Sequence, residues 1–198
     1  LRRTKDQVAT ELPPKTILVH PIDLNSTQRD LYETVRATMD KQVRKAIAAR
    51  GLEQSQFAIL DALLKLRQIC CHPALLKLQT EEAKKAKRSA KLDYLFELLD
   101  TLFAEGRRVL LFSQFTSMLQ LIERELNVRR HSYLKLTGES KDRGNLVERF
   151  QKENIPIFLI SLKAGGTGLN LTAADTVIHF DPWWNPAVEN QAVDRVHR

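Results

Sequence analysis

The sequence predicts an α/β fold: a parallel sheet with helices on both faces, plus an inserted helical protrusion. Three observations carry that reading. From Ser89 onward, short apolar runs alternate with stretches of helical periodicity, the pattern of a parallel sheet. One of the runs, Val109-Leu-Leu-Phe112, is continuously apolar, as a strand covered on both faces is. Between Asn25 and Arg88 only helical spacing appears, so that stretch stands apart from the alternation. With 198 residues and 43% hydrophobic content, the chain can bury a core of this kind.

Residues 1–24 read as a connector ending in a first strand. Leu12-Pro13-Pro14-Lys15 cannot be helical, because Pro14 pushes Pro13 to extended backbone and neither proline donates a hydrogen bond. Thr16-Ile-Leu-Val-His20 then has the β-branched, apolar character of a short strand.

Residues 25–88 read as the helical protrusion and a basic linker. Asn25-Ser26-Thr27 offers an N-cap, apolar residues follow at Leu31, Val35, Met39, Val43 and Ile47, and Gly51 supplies a stop. Off that stripe the same helix carries Arg29, Arg36, Lys41, Arg44, Lys45 and Arg50. A second helix runs from about Gln54 to Cys71, with Pro73 beyond its end. Glu81 to Ala90 has almost no apolar residue besides alanine and reads as a solvated linker or a loosely held helix.

Residues 89–198 hold the alternating part. Leu92, Leu95, Phe96, Leu99 and Phe103 mark a helix closed by Gly106; the strand at Val109 follows, then a helix through Met118, Ile122 and Leu126. Tyr133-Leu-Lys-Leu136, Ile157-Phe-Leu-Ile160 and Val177-Ile-His-Phe180 are three more strands, with a helix around Leu146 to Phe150 between the first two. Pro186 opens a last helix.

Composition narrows the partners. Lys and Arg number 31 against 24 Asp and Glu, a surplus of +7 that suits a polyanion, nucleic acid first, or a soluble basic protein with solvated charges. Cys70 and Cys71 are adjacent, which suits neither a disulfide staple nor a zinc pair with His72, and points to structural thiols in a reducing compartment. No apolar run reaches membrane-spanning length and no signal peptide opens the chain. Leu1 is not an initiator Met and Arg198 stops inside a helical pattern, so both ends read as cut from something longer.

Ligands of parallel sheets bind beyond the carboxyl ends of the strands, and the unusual residues cluster there. The first strand leads into Ser113-Gln114 and the second into Thr137-Gly138-Glu139-Ser140. The third leads into Ser161-Leu-Lys163-Ala-Gly165-Gly166-Thr167-Gly168-Leu-Asn170, the fourth into Asp181-Pro-Trp183-Trp184-Asn185-Pro186. On the last helix Gln191, Arg195 and Arg198 fall at i, i+4 and i+7, so three donors share one face. Singly, each of these has an ordinary structural explanation; their joint order behind successive strands points to a site.

In that order the blocks resemble the second RecA-like lobe of the Swi/Snf-type ATPases of helicase superfamily two. Leu110-Leu-Phe-Ser-Gln-Phe115 is similar to that family's motif IV, and Leu136-Thr-Gly-Glu-Ser140 to its next block. Ile160 to Asp175 is similar to motif V, while Asp181-Pro-Trp-Trp-Asn-Pro186 and Gln191 to Arg198 are similar to the blocks leading into motif VI. Leu1 to Lys15 looks like the family's connector between lobes, and the helical pair like its lobe-two protrusion. The Ile-Gly-Gln that follows the last arginine in the family is missing, and so are a Gly-x-x-x-x-Gly-Lys-Ser/Thr loop and an Asp-Glu pair, which the family carries on its first lobe.

The resemblance implies a parent protein that is an ATP-dependent translocase or remodeller on double-stranded DNA, with ATP and Mg2+ held by the first lobe and this lobe inactive alone. It implies DNA-side roles for Ser113, Gln114, Thr137, Gly138, Ser161, Lys163 and Trp184. It implies nucleotide-side roles for Gly168, Asn170 and Gln191, and catalytic roles for Arg195 and Arg198. The implied partners are the first lobe, duplex DNA and a DNA-bound protein, with the chain monomeric and located in the bacterial cytoplasm, or in the nucleus of a eukaryote. Two rivals stand beside this reading: an RNA helicase lobe, and a non-enzymatic DNA-binding or scaffolding module.

Overall fold

The computed structural model describes residues 16–165 and 169–182. The chain divides into two compact units, Pro21–Thr101 and a second made of Leu1–His20 with Leu102–Arg198.

The first unit is built on a helical hairpin, α1 (Ser26–Gln54) and α2 (Gln56–Cys71), followed by the single turn α3 (Glu81–Lys85) and by most of α4 (Ala90–Ala104). Asn25 caps α1 by accepting from the Gln28 amide at 2.9 Å. Gly51, at φ 78° and ψ 171°, breaks the helical geometry three residues before the assigned end, a conformation that a side chain resists. Leu31, Val35, Ile69 and Ala86 form the unit's core. Of the two readings of Glu81–Ala90, linker or loosely held helix, the structure shows a short helix at Glu81–Lys85, with Ala86 just past it at 3% exposure.

Polar ties hold the base of the hairpin. Gln28 is fully buried, donating to the Ile69 carbonyl at 2.7 Å and accepting from the Ala90 amide at 3.2 Å. Ser89 donates to the Cys71 carbonyl at 2.6 Å and caps α4 through the Leu92 amide. Cys70 and Cys71 form no disulfide among the described residues, and burial pushes the Cys70 thiol up. Away from the base the hairpin is thin. Leu52, Phe57, Leu60, Leu63 and Leu64 are all exposed there.

The second unit holds a four-stranded, wholly parallel sheet: β1 (Val109–Ser113), β2 (Tyr133–Leu136), β3 (Ile157–Ser161) and β4 (Thr176–His179), in the order β2-β3-β1-β4. Helix α5 (Thr116–Val128) packs on β1 and β3, α6 (Arg143–Lys152) on β2, and α7 (Leu162–Gly165) follows β3. Every residue of β1 and β3 is buried, which is why those strands read as continuous apolar runs. Alternate residues feed one core: Leu110 and Phe112, Leu134 and Leu136, Phe158 and Ile160, joined by Phe150, Leu171 and Ala174.

One expectation fails. Thr16–His20 carries no regular structure, and Ile17, Leu18 and Val19 are 68–84% exposed. Five residues of high β-propensity make a strand only against a partner, and no described strand pairs with them. No helix among the described residues is long and apolar enough to cross a membrane.

At the amino edge of the sheet, Arg108 donates to the carbonyls of Phe150, Glu153 (3.0 Å) and Ile155 (3.3 Å) while lying 4.4 Å from the Phe150 ring centroid. Its own carbonyl accepts from Asp175 and Thr176 at the entry to β4. Lysine keeps the charge but loses the planar fork. Arg108→Lys should therefore lower stability by about 2–3 kcal/mol, read as an earlier urea midpoint at unchanged slope; an unchanged midpoint means the fork contributes nothing.

In the hairpin unit, the buried His72 accepts at Nδ1 from the Ala74 amide, 3.0 Å away, a bond that needs the neutral ring. Burial lowers the His72 pKa, against a weaker upward pull from Asp93. The stabilisation it provides is complete above the unfolded value of about 6.5 and is lost as pH falls through the lower folded value. Melting temperature should drop between pH 7.5 and 5, and His72→Asn, which retains a side-chain acceptor, should flatten that slope.

Candidate functional site

The predicted site residues that the structure describes converge on the carboxyl edge of the sheet and on the segment that returns from it. Ser113 and Ser161 end β1 and β3 as register partners on neighbouring central strands. Leu136 pairs with Ile160, so Thr137 follows level with Ser161, and Gly138 lies exposed just beyond. Lys163, also exposed, sits on α7 two residues past Ser161. Gly168, Trp184, Gln191, Arg195 and Arg198 lie outside the described residues.

The hydroxyls have specific tasks. Ser113 is fully buried; its Oγ accepts from the Phe115 amide at 3.1 Å and so turns the chain from β1 into α5. Ser161 is 3% exposed, and its Oγ accepts from the Ala164 amide at 3.3 Å, capping α7. These two side chains shape loops; neither offers its oxygen to solvent. Thr137 works similarly across its own turn: its Oγ1 accepts from Glu139, and its amide donates to Ser140 Oγ at 3.0 Å. Gly138, Glu139 and Lys163 are exposed around these turns. A shallow depression lined by Ser140, Lys141, Asp142, Asn145, Leu146 and Arg149 adjoins that loop.

Gln114 is held from the far side of β1. Its amide donates to Asp181 Oδ2 at 3.0 Å, which ties the loop after β1 to the chain leaving β4. Among the described residues, Gln114 Nε2 is buried without a hydrogen-bond partner. Asn170 stands apart from the edge. Its side chain is exposed on the returning segment, and its carbonyl accepts from Gln151 Nε2 of α6 at 2.9 Å.

Sequence reasoning missed Gln151 and the clamping role of Asp181. Asp181 stood inside a recognised block, so a signal existed; Gln151 lay outside every quoted motif. Among the described residues no group of three or more His, Cys, Asp or Glu side chains is placed to hold a metal ion.

An all-parallel sheet with these loops at its carboxyl edge and helices on both faces is a RecA-like lobe. Residues 90–198 match the helicase conserved C-terminal domain family, and residues 1–75 match the SNF2-related domain. A putative ATP-dependent helicase/translocase, YwqA of Bacillus subtilis, is 42% identical over all of this chain, which covers 22% of that protein. The Arabidopsis thaliana chromatin structure-remodeling complex protein SYD is 37% identical over all of this chain, covering 6% of its length. The solved C-terminal part of the Fun30 ATPase domain superposes with a TM-score of 0.78 at 25% identity, over 95% of this chain and 82% of that one. The Sulfolobus solfataricus SWI2/SNF2 ATPase core in complex with dsDNA superposes with a TM-score of 0.71 at 31% identity, over 89% of this chain and 36% of that one. The chain belongs to the helicase C-terminal domain family, as the second RecA-like lobe of a Swi/Snf-type protein. It spans about a fifth of the length of its bacterial relatives.

The Asp181 clamp is open to direct test. Asp181→Ala should cost about 1–3 kcal/mol, the range for a buried hydrogen bond to a carboxyl group. It should also speed amide exchange at Gln114 while the β1–β3 ladder stays protected. Unchanged exchange at Gln114 argues that the loop is held by other contacts.

Proposed function

We propose that this lobe is the second motor lobe of an ATP-dependent translocase on double-stranded DNA, gripping the DNA backbone and closing over ATP held by the first lobe. The observation that carries the reading is the row of loops along one carboxyl edge. It is fixed by the Ser113–Ser161 register and leaves Gly138, Glu139 and Lys163 exposed. Peptide N–H groups and a lysine grip phosphates without reading bases, so the contact is indifferent to sequence. Ser113 and Ser161 act by shaping the turns that present those groups. The superposition on the Sulfolobus solfataricus SWI2/SNF2 ATPase core in complex with dsDNA supports the choice of nucleic acid.

The lobe contributes cations and shape to the ATP site, and the phosphate cradle comes from elsewhere. The sequence holds no Gly-x-x-x-x-Gly-Lys-Ser/Thr loop and no Asp-Glu pair; phosphoryl transfer needs a cradle, a metal and a positioned nucleophile together. Arg195 and Arg198 are proposed to reach the γ-phosphate on cleft closure, with Gln191, Gly168 and Asn170 on the nucleotide side. Arginine suits the task because its planar fork stays charged. In the parent protein, the first lobe and a DNA-bound protein are the proposed partners of a monomeric motor.

Arg198→Ala in the full-length parent should lower DNA-stimulated turnover by about three orders of magnitude, and Arg198→Lys should not rescue it. ATP binding should survive with modest loss. Lys163→Ala should reduce DNA stimulation more than basal turnover. The isolated chain should show neither stimulation nor turnover. Arg198→Ala turnover within a few-fold of wild type, or robust turnover by the isolated chain, removes the reading.

A further inference from the structure

Helix α6 touches both halves of the proposed site. Its first turn is capped by Asp142, whose Oδ1 accepts from the Asn145 amide at 3.0 Å, directly after the Thr137–Ser140 loop. In its last turn, Gln151 spends its whole side-chain amide on residues 170–173. Nε2 donates to the Asn170 carbonyl at 2.9 Å and lies 3.4 Å from Thr172 Oγ1, while Oε1 accepts from the Ala173 amide at 3.0 Å. One carboxamide thus meets a backbone carbonyl and a backbone N–H, as a neighbouring strand does. Between these bonds Leu171 is fully buried, and Ala174 is 5% exposed in the same core as Phe150. The segment has no regular secondary structure of its own, so the bonds that place it come from Gln151, the buried side chains, and the Leu171–Ala174 and Arg108–Asp175 backbone pairs.

We propose that Gln151 is a positioning residue that couples the two halves: α6, ten residues and about 15 Å of rigid rod, transmits displacement of the DNA-side loop at its start to the nucleotide-side Asn170 segment at its end. The inference rests on the proposed function for the roles of the two ends; the latch itself rests on the bonds alone. A neutral amide is required. A carboxylate keeps the acceptor for Ala173 but turns an oxygen toward the Asn170 carbonyl, and a leucine loses both bonds while filling similar space.

The test uses the full-length parent with Gln151→Leu and Gln151→Glu. Peptide-level hydrogen exchange over residues 169–176 should quicken roughly tenfold in Gln151→Leu and less in Gln151→Glu, with β1 still protected. The ratio of DNA-stimulated to basal kcat should fall by a similar factor, while basal kcat and DNA affinity stay close to wild type. Unchanged exchange overturns the latch. Quickened exchange with an unchanged ratio overturns the coupling, as does a parallel fall of basal and stimulated rates accompanied by lost β1 protection. A wild-type parent that DNA does not stimulate overturns the reading of the site and the coupling with it, and the exchange result still judges the latch separately.

Discussion

At the amino edge of the sheet a single guanidinium, that of Arg108, meets the carbonyls that end α6 and lead into β3, with its plane against Phe150. The backbone of the same residue accepts the amides that begin β4, and Arg108 itself leads directly into β1. Three of four strands are therefore set in register from one point. Parallel strands have no hairpin turn to fix their offset, so that job falls to contacts of this kind. A slip of one residue would turn every side chain of a strand to the opposite face. The Ser113–Ser161 alignment at the far edge is a downstream result of that anchoring.

The two edges divide the labour. Apolar burial and the guanidinium clamp hold the amino half and the middle of the sheet, where Leu110, Phe112, Phe158 and Ile160 are all at most 1% exposed. The carboxyl edge is held by polar bonds: Ser113 to Phe115, Ser161 to Ala164 and Thr137 with Ser140 within single turns, and Asp181 to Gln114 across 67 residues. The first three of these bonds each fix a turn.

Much of this was readable in the amino-acid order, for identifiable reasons. β1 and β3 announced themselves because burial on both faces leaves no polar residue to break the run. The candidate loops stood out because a parallel sheet has a privileged edge. Thr16–His20 misled because propensity is local and pairing is not. The serines at 113 and 161 were identified as site positions, but whether a hydroxyl serves a ligand or its own turn is decided by loop geometry. Arg108 and Gln151 were invisible for another reason: their partners lie 42–47 and 19–22 residues away, and no periodicity records such a bond.

The helical hairpin carries a different lesson. Its base is packed around Leu31, Val35 and Ile69 and stapled by Gln28, yet towards Gly51 the side chains stand in the open. Where nothing is enclosed, a smaller residue leaves no void and a larger one meets no wall. The outer half of the hairpin is thus the part of this chain where drift in residue size and loop length is cheapest. Relatives that share the sheet can lengthen, shorten or redecorate it there without renegotiating the core.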